Sequence, residues 1–276
     1  MMRASEVREI LGRLGMRADK RLGQHFLIDD RIARRQVEFA GIKRSETVLE
    51  IGPGLGALTR LLLRKTENVV TVEKNRRFCR YLEDELPSLR IIEGDAVKVD
   101  LPQFDVVVAN LPYQISSPMT FKLLERKFDR AILMFQKEFA ERMVAGRGEE
   151  GYSRLSVQVY YKSEAEIVEG VPRSAFYPQP EVESAVVSLK PRSPPFKVAD
   201  EALFSHLVDK LFQHRRKTIE NGISLSWRDF GDSLEKVKKT VRRTGFSRKR
   251  VEELSPEEIG ELSDALVAAR GGRPVS

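Results

Sequence analysis

The stretch TVLEIGPGLGALTRLLLRK, residues 47–65, decides the fold. An apolar run breaks into glycines at 52, 54 and 56, then resumes with apolar residues 58, 61 and 62 at helical spacing. A strand that turns on glycine directly into a helix opens a βαβ unit. Glycines there let backbone approach a ligand and leave the free N–H groups of the helix start facing it. Taken alone they fit a structural turn as well. Their place between strand and helix is what points to a ligand.

The same alternation continues outward. NVVTVEKN (68–75), LRIIEGD (89–95), FDVVVANLPY (104–113) and FDRAILMFQ (128–136) read as further strands, with helical stretches at 76–86 and 117–127 between them. Strands alternating with helices imply a parallel sheet covered on both faces. EAEIVEGV (164–171) and VESAVVSLK (182–190) read as an antiparallel pair closing the sheet edge. The Pro-rich KPRSPPFK (190–197) marks a linker. Beyond it Phe204, Leu207, Val208, Leu211 and Phe212 keep helical spacing, and Ser255-Pro256-Glu257-Glu258 is a capping box. The expectation is an α/β domain over 1–191, including a basic arm 1–44, and a small all-helical domain over 192–276.

Composition narrows the function. No apolar run nears the ~20 residues of a membrane span, and the N-terminal stretch lacks a signal-peptide apolar region. The single cysteine, Cys79, excludes an intrachain disulfide and fits a reducing cytoplasm. Three histidines, at 25, 206 and 214, lack ligand company, so no metal is expected. The net charge of +7 is unevenly placed. Residues 1–44 carry 11 Lys and Arg against 6 Asp and Glu, 45–191 carry 20 against 22, and 192–250 carry 15 against 7. A near-neutral middle between basic flanks suits a polyanion such as nucleic acid, and equally a solvated lysine-rich surface.

The strand ends carry the chemistry. Glu73 closes the second strand 21 residues after Gly52, where a carboxylate can accept both hydroxyls of a ribose. Asp95 closes the third, where it can take the amine of adenine or cap a helix. NAD and S-adenosylmethionine both use this layout. Asn110-Leu111-Pro112-Tyr113 separates them. A nucleobase amine is a poor nucleophile because its lone pair is delocalised into the ring. Acceptors on its hydrogens, the Asn110 amide oxygen and the Leu111 carbonyl, localise that pair. Pro112 stiffens the turn and Tyr113 offers a stacking face. Hydride transfer needs none of this.

At these residues the sequence resembles the KsgA-type rRNA adenine dimethyltransferases, and through them the erythromycin-resistance methyltransferases. KRLGQHFLID (20–29), EIGPGLGALT, VEKN, EGDA, NLPY and FYPQPEVESAVV (176–187) follow the family's motifs in order across nearly the whole chain. The resemblance implies a Rossmann-like class I fold, S-adenosylmethionine as cofactor, and N6-dimethylation of two adjacent adenosines in a hairpin loop near the 3′ end of small-subunit rRNA. It places Gln24, His25, Leu27, Gly52, Glu73, Asp95 and Asn110 at the cofactor. Asn110 and Leu111 would meet the target amine, and Tyr113 and Phe176 would sandwich the base. Arg215, Arg216, Lys217, Lys238, Lys239, Arg242 and Arg243 are read as rRNA phosphate contacts. The expected setting is a monomer acting on a pre-ribosomal small subunit in the cytoplasm. An RNA-binding assembly factor with incidental methylation, and an NAD-dependent oxidoreductase, are the alternatives.

Overall fold

The computed structural model describes residues 2–18 and 23–270, so residues 20–22 of the N-terminal motif lie outside the described residues. The strands are β1 Phe26–Leu27, β2 Val48–Ile51, β3 Val69–Glu73, β4 Arg90–Glu93, β5 Val106–Asn110, β6 Arg130–Gln136, β7 Ser163–Val171, β8 Phe176–Tyr177 and β9 Ser184–Pro191. The chain divides into two compact units, residues 1–140 with 164–191, and residues 141–163 with 192–276.

The first unit holds a seven-stranded sheet in the order β4-β3-β2-β5-β6-β9-β7. Strands β2 to β6 run parallel, and β9 joins β6 antiparallel. β7 lies beside β9 at the edge, where the sequence placed a closing pair. The central strands β2 and β3 are buried along their whole length. That follows from their near-continuous apolar run, since a parallel strand has no wet face. The chain starts at β2, winds outward to β4, then returns to β5 on the other side of β2. The strand order therefore reverses between β2 and β5. A crevice opens at the carboxyl ends of strands at such a reversal, and ligands bind there.

Several helices escaped the sequence reading, Lys137–Val144, Arg154–Lys162 and two near the N-terminus among them. Ala4–Arg13 packs Val7, Ile10 and Leu11 against Leu55 of the glycine turn and Phe78 of helix Arg76–Glu85. Asp30–Ala40 is capped by the Asp29 carboxylate, which accepts from the Arg31 amide at 3.0 Å, and it ends on Gly41 at φ +53°. Its buried face, Ile32, Ala33 and Val37, joins the core that contains Val48, Val106 and Met134. The helix after the glycine turn covers only Thr59–Leu62, and the one after NLPY runs Ser116–Leu124.

The second unit is helical. Glu201–Gln213, Leu234–Arg243 and Pro256–Ala269 enclose Leu207, Leu211, Val237, Val241, Leu262 and Leu266. The Ser255 hydroxyl accepts from the Glu258 amide at 3.2 Å, closing the capping box with Pro256 in the first turn. The division differs from the sequence expectation at one place. Residues 141–163, read as part of the α/β domain, belong to the helical unit. Tyr152, Val157 and Tyr161 are buried in its core, and the Tyr152 hydroxyl donates to the Leu254 carbonyl at 3.0 Å. A boundary drawn from chain order cannot see a segment that packs with partners a hundred residues later. No helix among the described residues is long and apolar enough to cross a membrane.

Candidate active site

The crevice at the strand reversal is a cavity of about 420 Å³ within the first unit. Gln24, His25, Leu27, Gly52, Glu73, Asp95 and Asn110 all line it. Each comes from a different strand end or from the N-terminal arm, so the sheet order sets their sequence across the floor.

At the β2 end the turn runs Gly52-Pro53-Gly54-Leu55-Gly56 with φ of +69°, +56° and +79° at its glycines. Those angles favour glycine, and a Cβ on Gly54 would lie 3.3 Å from the Phe26 ring. At the β3 end the Glu73 carboxylate accepts from the Gly54 amide at 3.2 Å and from the Asn75 amide at 2.7 Å. Burial still pushes its carboxyl above the usual range, because two amide donors offset desolvation only in part. Beyond β4, Asp95 accepts from the Val97 amide at 3.0 Å and from Lys74 Nζ at 3.0 Å. The Lys74 ammonium holds that carboxyl below its usual range. No helix starts at Asp95: its carboxylate caps only the turn over 96–98, and each carboxylate oxygen keeps a further lone pair for a ligand. Lys122 fastens this loop by donating to the Ala96 and Val97 carbonyls at 2.8 and 3.0 Å, and to the Val99 carbonyl.

Asn110 ends β5. Its side-chain oxygen is buried with no hydrogen-bond partner. A buried acceptor without a donor costs on the order of 1–3 kcal/mol, so the site is built for a donor that arrives with a ligand. Leu111 spends its amide on the Met134 carbonyl at 3.3 Å, which fixes the turn behind that acceptor. Tyr113 is held by a 2.8 Å hydrogen bond between its hydroxyl and Ser184 Oγ, and burial raises its pKa. The His25 ring stacks on it, with centroids 5.7 Å apart and planes at 29°. His25 Nδ1 lies 2.8 Å from the Pro178 carbonyl. A carbonyl only accepts, so Nδ1 carries the hydrogen.

Phe176 departs from its expected place. Its side chain is 4% exposed, and it belongs to the apolar core with Leu27, Ile32 and Val186. β8 pairs antiparallel with β1, bringing Leu27 opposite Phe176 and Phe26 opposite Tyr177. This pairing turns Phe176 inward, so the structure offers no open Phe176 face for a base. Glu50, Lys74, Lys122 and Ser184 were not singled out from the sequence. Only Glu50 left a signal there, as an acid inside an otherwise apolar buried strand.

The cationic candidates lie on the second unit. Arg215, Arg216 and Lys217 are exposed in the turn after helix Glu201–Gln213. Helix Leu234–Arg243 buries only Val237 and Val241, and its outer side presents Lys238, Lys239, Arg242 and Arg243. Two of the seven are already engaged. Arg215 pairs with Glu252 at 3.3 Å, and Arg242 donates twice to the Glu220 carboxylate at 2.9 and 2.6 Å.

Comparison with known proteins gives one answer. A protein from Thermococcus kodakarensis, named probable ribosomal RNA small subunit methyltransferase A, is 45% identical over 262 residues, 93% of each chain. Its namesake from Methanosarcina acetivorans is 44% identical over 94% of this chain and 97% of its own. Among solved structures, a dimethyladenosine transferase from Plasmodium falciparum superposes with a TM-score of 0.79 at 31% identity, over 90% of this chain and 98% of that one. The 23S rRNA methyltransferase ErmE follows at 0.66 and 28%, over 87% and 99%. Residues 15–261, which include the glycine turn, the unpartnered Asn110 acceptor and the helical unit's basic helix, match one family description throughout, and the chain belongs to the ribosomal RNA adenine dimethylase family.

Proposed function

We propose that this rRNA adenine dimethyltransferase uses S-adenosylmethionine to dimethylate N6 of two adjacent adenosines in a hairpin loop near the 3′ end of small-subunit rRNA, within a pre-ribosomal small subunit. The observation that carries this reading is the buried, partnerless Asn110 oxygen at the strand reversal. The cavity fits the cofactor by the chemistry of its donor and acceptor set. Asp95 and Glu73 supply acceptors suited to an adenine amine and ribose hydroxyls, and Glu50 adds a third carboxyl at the β2 end. When bound, S-adenosylmethionine supplies a methyl group on a sulfonium, an electrophile with a neutral leaving group.

The protein's own part is positioning. Asn110 and the Leu111 carbonyl accept the two hydrogens of the target amine and localise its lone pair. Pro112, at φ −54°, stiffens the turn that carries them. Tyr113, anchored by Ser184, offers a ring to an unstacked base, which offsets part of the cost of flipping it out. The test is primer extension on small-subunit rRNA incubated with enzyme and cofactor, because two methyls on the pairing edge stop the polymerase. Full read-through at every adenosine pair would sink the reading.

Two expected results divide the labour between cofactor and RNA. Glu73→Ala weakens S-adenosylmethionine binding by about 1–3 kcal/mol, since ribose hydroxyls lose a charged acceptor. Calorimetry without RNA measures it, and an unchanged affinity would remove Glu73 from the ribose. The reversal Lys239→Glu with Arg243→Glu acts on exposed cations four residues apart on one helix face. It lowers the log–log salt slope of rRNA binding by about one unit per lost phosphate contact. Cofactor affinity stays as it was, because the cavity is lined entirely by the first unit. A salt series matching wild type would make this helix a merely solvated face.

A further inference from the structure

Tyr113 is half-buried, and its ring is held at two points. Its hydroxyl meets Ser184 Oγ at 2.8 Å, and the His25 ring stacks on one face with centroids 5.7 Å apart and planes at 29°. A ring has two faces, so at most one is left for a base. Phe176, buried in the apolar core, offers no second ring. The adenine therefore takes its angle from Tyr113, and Tyr113 takes its own from His25 and Ser184.

His25 also faces the cofactor. It lines the cavity, whereas Tyr113 is not among the described residues that do. The arm that carries His25 is stitched to residues 175–178. The Ile28 amide donates to the Ala175 carbonyl at 2.8 Å, β1 pairs with β8, and His25 Nδ1 donates to the Pro178 carbonyl at 2.8 Å. The arm also abuts the residue after Tyr113, since a Cβ on Gly23 would collide with the Gln114 side chain. Gln24 and Leu27 line the cavity beside His25. One short segment thus touches the cofactor space at three residues and the stacking ring at one.

We infer that His25 is a positioning residue that fixes the Tyr113 face for the target adenine and couples cofactor binding to base stacking. The inference rests on the rRNA methylation reading. A cofactor packed against the arm holds His25 over Tyr113. A base stacked on the opposite face presses the same ring toward His25. Each ligand stabilises the arrangement the other needs, so each raises the other's affinity by the same factor. An offset-stacked aromatic pair contributes about two- to tenfold to such an equilibrium.

Single-turnover methyl transfer from S-adenosylmethionine to small-subunit rRNA, at saturating cofactor, measures the positioning. His25→Ala is expected to slow it about tenfold, and Tyr113→Ala more. The double variant is expected to be no more than about twofold slower than Tyr113→Ala, because His25 then has no ring to position. His25→Phe, which keeps a ring over Tyr113, restores most of the rate. His25→Asn, which keeps a side-chain donor without a ring, does not. Titration calorimetry with S-adenosylhomocysteine measures the coupling. Saturating rRNA tightens its binding to wild type about fivefold or more, and leaves its binding to His25→Ala unchanged.

Four results would each overturn the inference and leave rRNA methylation intact: losses that multiply in the double variant, restoration by His25→Asn but not by His25→Phe, a His25→Ala defect that vanishes at saturating cofactor, or a wild-type S-adenosylhomocysteine affinity indifferent to rRNA. A wild type that transfers no methyl to rRNA would strike the functional reading, and this inference with it. Should His25→Ala fail to fold, the His25→Phe and His25→Asn variants decide by the same two measurements.

Discussion

Replacing Asn110 by alanine slows methyl transfer on the order of 10²-fold or more, with the fold preserved. The size of the effect follows from what the side chain does without substrate. Its oxygen is buried and bonded to nothing, so truncation removes no structural hydrogen bond. The loss therefore falls on the state in which the target amine is clamped. kcat drops with the RNA affinity nearly unchanged, because the proposed phosphate contacts lie on the helical unit. Single-turnover kinetics with saturating cofactor separate the two, and a variant with near-normal turnover would exclude Asn110 from the clamp.

Phe176→Ala costs about 3–5 kcal/mol of stability, the usual range for emptying a buried phenylalanine site. The side chain is 4% exposed within the core that includes Leu27, Ile32 and Val186. Phe176→Leu fills most of that volume and is expected to cost under about 1.5 kcal/mol. Denaturant melts give the stabilities, and methylation by the leucine variant gives the role. A stable Phe176→Leu that methylates normally leaves Tyr113 as the stacking ring. A stable one that loses base binding would mean that Phe176 swings out to meet the adenine.

What was legible in the sequence was local. Glu73 and Asn110 end strands, Gly52 and Asp95 follow one within two residues, and a βα repeat fixes their spacing, so their convergence on one crevice could be read from the sequence. What was not legible depends on partners far along the chain. Helix Ala4–Arg13 has its buried side set by Leu55 and Phe78, and neither lies near it in sequence. Phe176 is turned inward by pairing with Leu27, about 150 residues earlier. Arg242 counted as a free cation until Glu220 was found beside it.

The assignment of residues 141–163 to the helical unit bears on biosynthesis. Helix Arg154–Lys162 leaves the ribosome well before Glu201–Gln213, Leu234–Arg243 and Pro256–Ala269, with which it shares a core. In between, the growing chain must supply β7 and β9 to the seven-stranded sheet and β8 to its pairing with β1. The nascent helix therefore waits with Tyr152, Val157 and Tyr161 unburied until the last helix emerges. A fragment cut at residue 192 would inherit the opposite defect, a core missing three large side chains. Only a fragment rejoining 141–163 to 192–276 carries the whole of that core, and such a chimera is the piece on which the proposed rRNA binding of the helical unit can be tested by itself.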